Sequence, residues 1–262
     1  MLEKKFVLTS LITCSLVLFL TDLSMGEGLN LPQLPPAYRY GNIVLDRNSA
    51  KSKRKPVVFS HWLHRRQFAC RVCHTDLGFS MKAGSTDITE AENRSGRFCG
   101  SCHNVRVSFT VRGNCKKCHS GNIDFSKPRF NELAGLPRSG FADVIDWVKA
   151  EEDKLIIPGA KSREKMKFEK DISLTSESNL VSPVVFSHKI HCKQLDCSNC
   201  HPEIFILNKK GPKDFTMKAM LSGEFCGTCH LNVAFPLHDC KRCHSVMNQV
   251  KLPIIGTTVP KS

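Results

Sequence analysis

Cys70-Arg71-Val72-Cys73-His74 is the first of six Cys-x-x-Cys-His segments. The others are Cys99/Cys102/His103, Cys115/Cys118/His119, Cys197/Cys200/His201, Cys226/Cys229/His230 and Cys240/Cys243/His244. This spacing reads as c-type haem attachment. The two thiols form thioethers to the vinyl groups of one porphyrin, and the following His ligates its iron from the proximal side. Paired Cys-x-x-Cys segments also build zinc sites, and an exported chain can close its thiols into disulfides. Neither alternative accounts for a His directly after all six pairs. The motifs therefore predict six copies of haem c, covalently bound.

The N-terminal stretch supports that chemistry. Lys4 and Lys5 precede an apolar run over 6–20, the pattern of a secretory signal. The run is short for a membrane span. Small residues around 24–26 place cleavage after Gly26, so 1–26 is expected to be a signal peptide; an uncleaved anchor is the alternative. Export predicts a periplasmic protein. Cys14 leaves with the signal, and Thr13 before it is a poor fit to a lipid attachment site. Cys192 stands outside the motifs and is expected to be a small buried side chain. The formal charge of +14 suggests an anionic partner. Each haem brings two propionates, however, so six would offset most of that charge, and no motif supports nucleic-acid binding.

The motifs fall into two sets of three. A shift of 127 lays Pro56-Val57-Val58-Phe59-Ser60-His61 on the identical Pro183-Val184-Val185-Phe186-Ser187-His188. The same shift carries His64 to His191, Cys70 to Cys197 and Cys99 to Cys226. This internal duplication predicts two similar domains, at 37–122 and 171–247, joined by a linker at 123–170 and followed by a tail at 248–262. Neither half has enough aliphatic residues for an ordinary core. The expected fold is mostly irregular, with short α-helices, a few short β-hairpins and haem-filled cores. Hairpins are expected between 42–45 and 57–59, and between 172–174 and 184–186. In the linker, Phe141, Val144, Ile145 and Val148 share one stripe, which predicts an amphipathic helix over 141–153. It is expected to be a connector packed on one domain, with a docking helix for a partner as the alternative. The stretch 162–170 is charged and reads as solvated.

Each iron needs a ligand on its second side. His61, His64, His188, His191 and His238 remain after the motifs are counted. The first four form two Phe-Ser-His-x-x-His boxes, whose spacing puts both imidazoles on one side of a helical turn. Recurrence ahead of each triplet points to two neighbouring irons per box.

The box followed by three Cys-x-x-Cys-His motifs resembles the triheme cytochrome c7 domain, a relative of cytochrome c3. Phe98-Cys99-Gly100-Ser101-Cys102-His103 and Phe225-Cys226-Gly227-Thr228-Cys229-His230 match its style, and the pattern occurs twice, over roughly 56–119 and 183–244. The resemblance implies that His61 pairs with His74, His64 with His103, His188 with His201 and His191 with His230. The third haem of each repeat departs from the family's simple members. Ser95-Gly96 and Ser222-Gly223 stand where those members carry a His. Multidomain relatives use Met there, which makes Met217 and Met220 candidates in the second repeat. The first repeat has Glu90 and Asn93 at the matching places, and only Met81 nearby. His238 is a further candidate for the last haem. A Met ligand would raise the potential above that of bis-His neighbours. A vacant side could bind a small molecule.

These features predict an electron-transfer protein without a catalytic residue. It would relay electrons between redox proteins, or to a membrane respiratory complex, in anaerobic-type respiration. No small-molecule substrate is expected. One alternative is a multihaem reductase using an open third haem, although no motif has Lys in place of His. The other is a haem-bearing structural or filament subunit.

Overall fold

The computed structural model describes residues 30–159, 168–175, 181–206 and 215–245. One compact unit spans Pro32–Asn248. The second comprises Met1–Leu31 and Gln249–Ser262, and almost all of it, with the signal, Cys14 and the tail, lies outside the described residues.

Each repeat begins with a two-stranded antiparallel hairpin. In the first, β1 (Asn42–Leu45) pairs with β2 (Val57–Ser60), from Asn42 opposite Ser60 to Leu45 opposite Val57. The helix α1 (Arg47–Lys51) lies in the connection. β2 runs straight into α2 (His61–Arg65), which is the first histidine box. A single π-helical turn, Val72–Asp76, carries the second half of the first motif. α3 (Glu90–Arg94) follows, opened by a capping box in which Thr89 and Glu92 satisfy each other's main-chain N–H groups. α4 (Cys115–Cys118) is the third motif.

The linker forms α5 (Lys127–Phe130) and α6 (Trp147–Glu152). The second repeat has β3 (Asp171–Leu174) paired with β4 (Val184–Ser187), then α7 (His188–His191), the second box. α8 (Cys197–Cys200), α9 (Met217–Leu221), α10 (Gly227–His230) and α11 (Cys240–Cys243) complete it. Both hairpins thus match the expected segments, and no described element exceeds six residues. Among the described residues, no helix is long and apolar enough to cross a membrane.

The helix expected over 141–153 is shorter than its apolar stripe. Ala142 and Asp143 have φ of +50° and +54°, where an L-residue cannot continue a right-handed helix. The helix starts only at Trp147, after Asp146 caps it by accepting from the Lys149 N–H. Val144 and Ile145 are buried as the stripe implies, but Phe141 and Val148 are exposed.

The linker also supplies a protein core that the low aliphatic content had concealed. Trp62, Phe130, Leu133, Ile145 and Trp147 form one buried cluster. Trp62 lies between the two histidines of the first box, and its indole N–H donates to the Tyr38 carbonyl at 3.1 Å. Asn42 at the head of β1 donates to the Ile123 carbonyl and the Ser126 hydroxyl, which ties the linker to the first hairpin. The linker reaches the second repeat as well. Asp146 pairs with Arg242, and Gln194 donates to Glu151 at 2.6 Å. It therefore bridges both repeats, where packing on one was expected.

Candidate haem-binding site

Ten of the eleven histidines share one hydrogen-bonding habit. Each donates its Nδ1–H to a main-chain carbonyl. In the motifs, His74 bonds Phe79, His103 bonds Phe109, His201 bonds Phe205 and His230 bonds Phe235, at 2.5–3.1 Å. His119 bonds Lys55 and His244 bonds Ser182, and these two acceptors are related by the 127-residue shift. In the boxes, His61 bonds Gly41, His64 bonds Ser60, His188 bonds Lys170 and His191 bonds Ser187, at 2.7–3.0 Å. A carbonyl can only accept, so each ring carries its proton on Nδ1. The Nε2 lone pair is left free, and the acceptor fixes the ring orientation, as metal-ligating imidazoles require.

Burial disfavours the charged form of six of these rings. It holds His61 and His230 down at about 4, and it lowers His64, His74, His103 and His191 as well. Phenylalanines complete each box. Phe59 stacks on His64 at 4.6 Å and meets His61 edge-on at 4.9 Å. Phe186 does the same to His191 and His188, at 4.3 and 4.9 Å.

The box rings face the motif rings across a metal-sized gap. Ring centroids are 6.5 Å apart for His61 and His74, 6.3 Å for His64 and His103, and 6.3 Å for His191 and His230. Two imidazoles bound to opposite sides of one metal at roughly 2.0 Å, each with its centroid about 1.2 Å behind the nitrogen, would stand about 6.4 Å apart. The residues present thus fit an iron between each of these pairs. His188 and His201 share no ring contact among the described residues.

The thirteen described cysteines are unbridged. Burial pushes the thiols of Cys73, Cys99 and Cys200 up to about 11, and those of Cys226 and Cys229 up to about 12. A structural zinc site would need four Cys or His ligands gathered around one ion. Among the described residues, no three His, Cys, Asp or Glu side chains gather in a metal-binding cluster.

The second motif is packed under a helix in both repeats. A Cβ on Gly100 would lie 1.8 Å from the Asn93 carbonyl oxygen, and one on Gly227 would lie 1.9 Å from that of Met220. Only glycine lets α3 and α9 approach so closely. Asn93 and Met220 are therefore counterparts in space as well as in sequence. Phe98 and Phe225, ahead of these motifs, have φ of +46° and +51°.

The model for cytochrome c7 and related cytochromes c matches residues 57–120 and 184–246. The chain belongs to the cytochrome c7 family. A dodecaheme cytochrome c is 26% identical over 79% of this chain and 49% of its own, with a TM-score of 0.27. The present chain thus spans about half of that protein. A C-terminal hexaheme fragment of the same cytochrome is 25% identical, covering 82% of this chain and all of the fragment, with a TM-score of 0.27. A c7-type three-heme cytochrome domain is 32% identical, covering 33% of this chain and 95% of that domain, again with a TM-score of 0.27. The family assignment rests on the matched motif-bearing segments and not on these superpositions. No curated protein matches the chain. As a tandem cytochrome c7, the chain carries haem c at its six motifs.

The remaining candidates are placed as follows. Met217 and Met220 lie half-buried on α9. Met81 lies half-buried in the loop after the first motif. Glu90 is committed to Arg94 at 2.6 Å, and the Asn93 Oδ1 is buried without a partner. His238 reverses the habit of the other ten. Its Nε2 donates to the Pro32 carbonyl at 2.7 Å, and its Nδ1 is buried without a partner. Cys192 is half-buried, with burial raising its thiol, and its carbonyl accepts from Arg71 at 2.7 Å.

Arg65 and Arg71 are the residues that sequence reading passed over. Arg71 sits inside the first motif and is 2% exposed. It pairs with Asp196 at 3.3 Å and donates to the carbonyls of Cys192 and Lys193. The repeat alignment contained the signal. The 127-residue shift puts Cys192 opposite Arg65 and Ser198 opposite Arg71, so neither arginine belongs to the common haem scaffold.

Proposed function

We propose that this cytochrome is an exported, periplasmic electron relay that serves redox proteins or a membrane respiratory complex and has no catalytic residue. The observation that carries the reading is the set of ten imidazoles with Nδ1–H bound to a carbonyl and Nε2 left free. Six follow the motif cysteines as proximal ligands, and His61, His64, His188 and His191 are the distal ones. The ring spacings support His61 with His74, His64 with His103, and His191 with His230. His188 with His201 follows from the repeat.

Bound haem iron supplies a one-electron couple. The protein holds each imidazole by a fixed main-chain acceptor, so the ring has little freedom to reorient when charge changes. At the four irons assigned two imidazoles, no site is left for substrate. In the second repeat the Met220 thioether is assigned to the His244 site in preference to Met217, since Met220 backs directly onto the second motif. It is also preferred to His238, whose Nε2 is already engaged.

The His119 site supports a second reading, in which a small molecule takes its open face. Asn93 replaces Met220 there, with its side-chain oxygen buried and unpartnered. Carbon monoxide titration of the reduced holoprotein tests both readings. The relay reading expects no more than one equivalent per chain, bound at His119. Uptake of three or more would contradict the bis-imidazole assignments.

A further inference from the structure

Arg65 ends α2, four residues after His61, and points toward the second repeat. Its guanidinium lies over the Trp147 ring at 5.4 Å, and its Nε is buried without a hydrogen-bond partner. None of the ion pairs among the described residues includes it. It lines a pocket with Tyr40, His61, Trp62, Val233 and Ala234, so the pocket walls come from both repeats. Tyr40 closes one side by donating to the His230 carbonyl at 3.4 Å.

A buried N–H of a cation that faces no acceptor is costly, and guanidinium is the side chain best shaped to grip a carboxylate. Among the described residues none supplies such a carboxylate here. Haem does, through its propionates, and this pocket is lined by the His61 imidazole and by Tyr40, whose hydroxyl bonds the His230 main chain. The charge of Arg65 reaches His61 on one side and His230 and Cys229 on the other. Cys229 also lies within electrostatic reach of Cys70 and Cys200, so motif cysteines of the two repeats are near one another at this junction. The Arg71 Nε is likewise buried and unpartnered, although the rest of that side chain is engaged by the second repeat.

We propose that Arg65 binds a haem propionate at the junction between the repeats and, as a positioning residue, raises the reduction potentials of the haems held by His74 and His230. A fixed positive charge disfavours the ferric state, which carries one more positive charge than the ferrous. This lowers the cost of bringing an electron to the crossing from one repeat to the other. The inference rests on the electron-relay reading, and it concerns a residue without a counterpart in the second repeat, where Cys192 stands.

The test is a redox titration of the six-haem protein in wild type, R65Q and R65K, with haem content read from intact mass. R65Q is expected to shift the reduction equilibrium of the two junction haems about tenfold toward the oxidised state, about 59 mV for a one-electron couple, while R65K keeps most of the wild-type value. Unchanged midpoints in R65Q, or an R65K shift as large as that of R65Q, overturn the proposal. A measurement on the wild type covers the case in which R65Q loses haem. In reduced protein labelled with 15N-arginine, the Arg65 Nε–H is expected to resist solvent exchange and to show an NOE to a haem propionate methylene. A freely exchanging proton without a haem contact overturns it. Fewer than six haems in wild type would instead undo the relay reading, independently of Arg65.

Discussion

A single hydrogen bond separates His238 from the other ten histidines. Nδ1 donates to a carbonyl in ten rings, and His238 alone uses Nε2. His238→Gln should therefore leave every haem's spectrum unchanged, whereas His64→Ala should open one further haem. Carbon monoxide uptake by the reduced protein is expected to rise by one equivalent per chain in the second variant and by none in the first. Met220→Ala is expected to add one equivalent in the same assay. No increase would remove Met220 as a ligand. The six motifs, and with them six covalent haems, were legible in the sequence because thioether and iron chemistry fix the Cys-x-x-Cys-His spacing. The carbonyl acceptors were not, since Lys55 with His119 and Ser182 with His244 are 64 and 62 residues apart. Asn93 sets the limit of that legibility. Its substitution for Met is visible in the alignment, but its unpartnered oxygen emerges only once α3 is packed on Gly100.

Elements in this protein are short because each one presents only one or two ligands. The hairpin ends at Ser60 or Ser187, and the next residue begins the box helix. Strand register thus sets where the two imidazoles start. Close packing of α3 and α9 on the second motif sets where the following iron sits. Gly100→Ala or Gly227→Ala would push a methyl into main chain and is expected to destabilise the protein by roughly 1–3 kcal/mol, or to reduce haem incorporation. Thermal unfolding and intact mass distinguish these outcomes. The hairpins were legible from identical Pro-Val-Val-Phe-Ser-His segments. The linker helix was only partly so, because an apolar stripe cannot reveal that Ala142 and Asp143 take left-handed conformations. Sequence identity also hides a difference in environment. Val58 is 5% exposed and its counterpart Val185 is 62% exposed.

Across the whole molecule, polar contacts join the two repeats, while a small apolar core packs the linker on the first. Arg71 reaches from the first motif to Asp196 and two carbonyls of the second repeat, and Thr75 donates to Asn199 at 3.2 Å. Removing one partner from a buried ion pair leaves the other uncompensated. Arg71→Met is therefore expected to cost roughly 3 kcal/mol in a denaturant titration, with all six haems retained. Trp62→Ala is expected to cost about 3–5 kcal/mol, because it empties the centre of the linker core. Nothing local in the sequence distinguishes Arg71 from a solvated arginine, and only the repeat alignment, with Ser198 opposite it, carries a signal. The central claim is that each motif holds a haem whose second face, in four of six cases, is closed by a box imidazole. Electron paramagnetic resonance of the fully oxidised protein, with spins counted against six haems by mass, tests it most directly. At least four low-spin bis-imidazole ferric haems per chain are predicted. Fewer than four, with high-spin iron making up the difference, would contradict it.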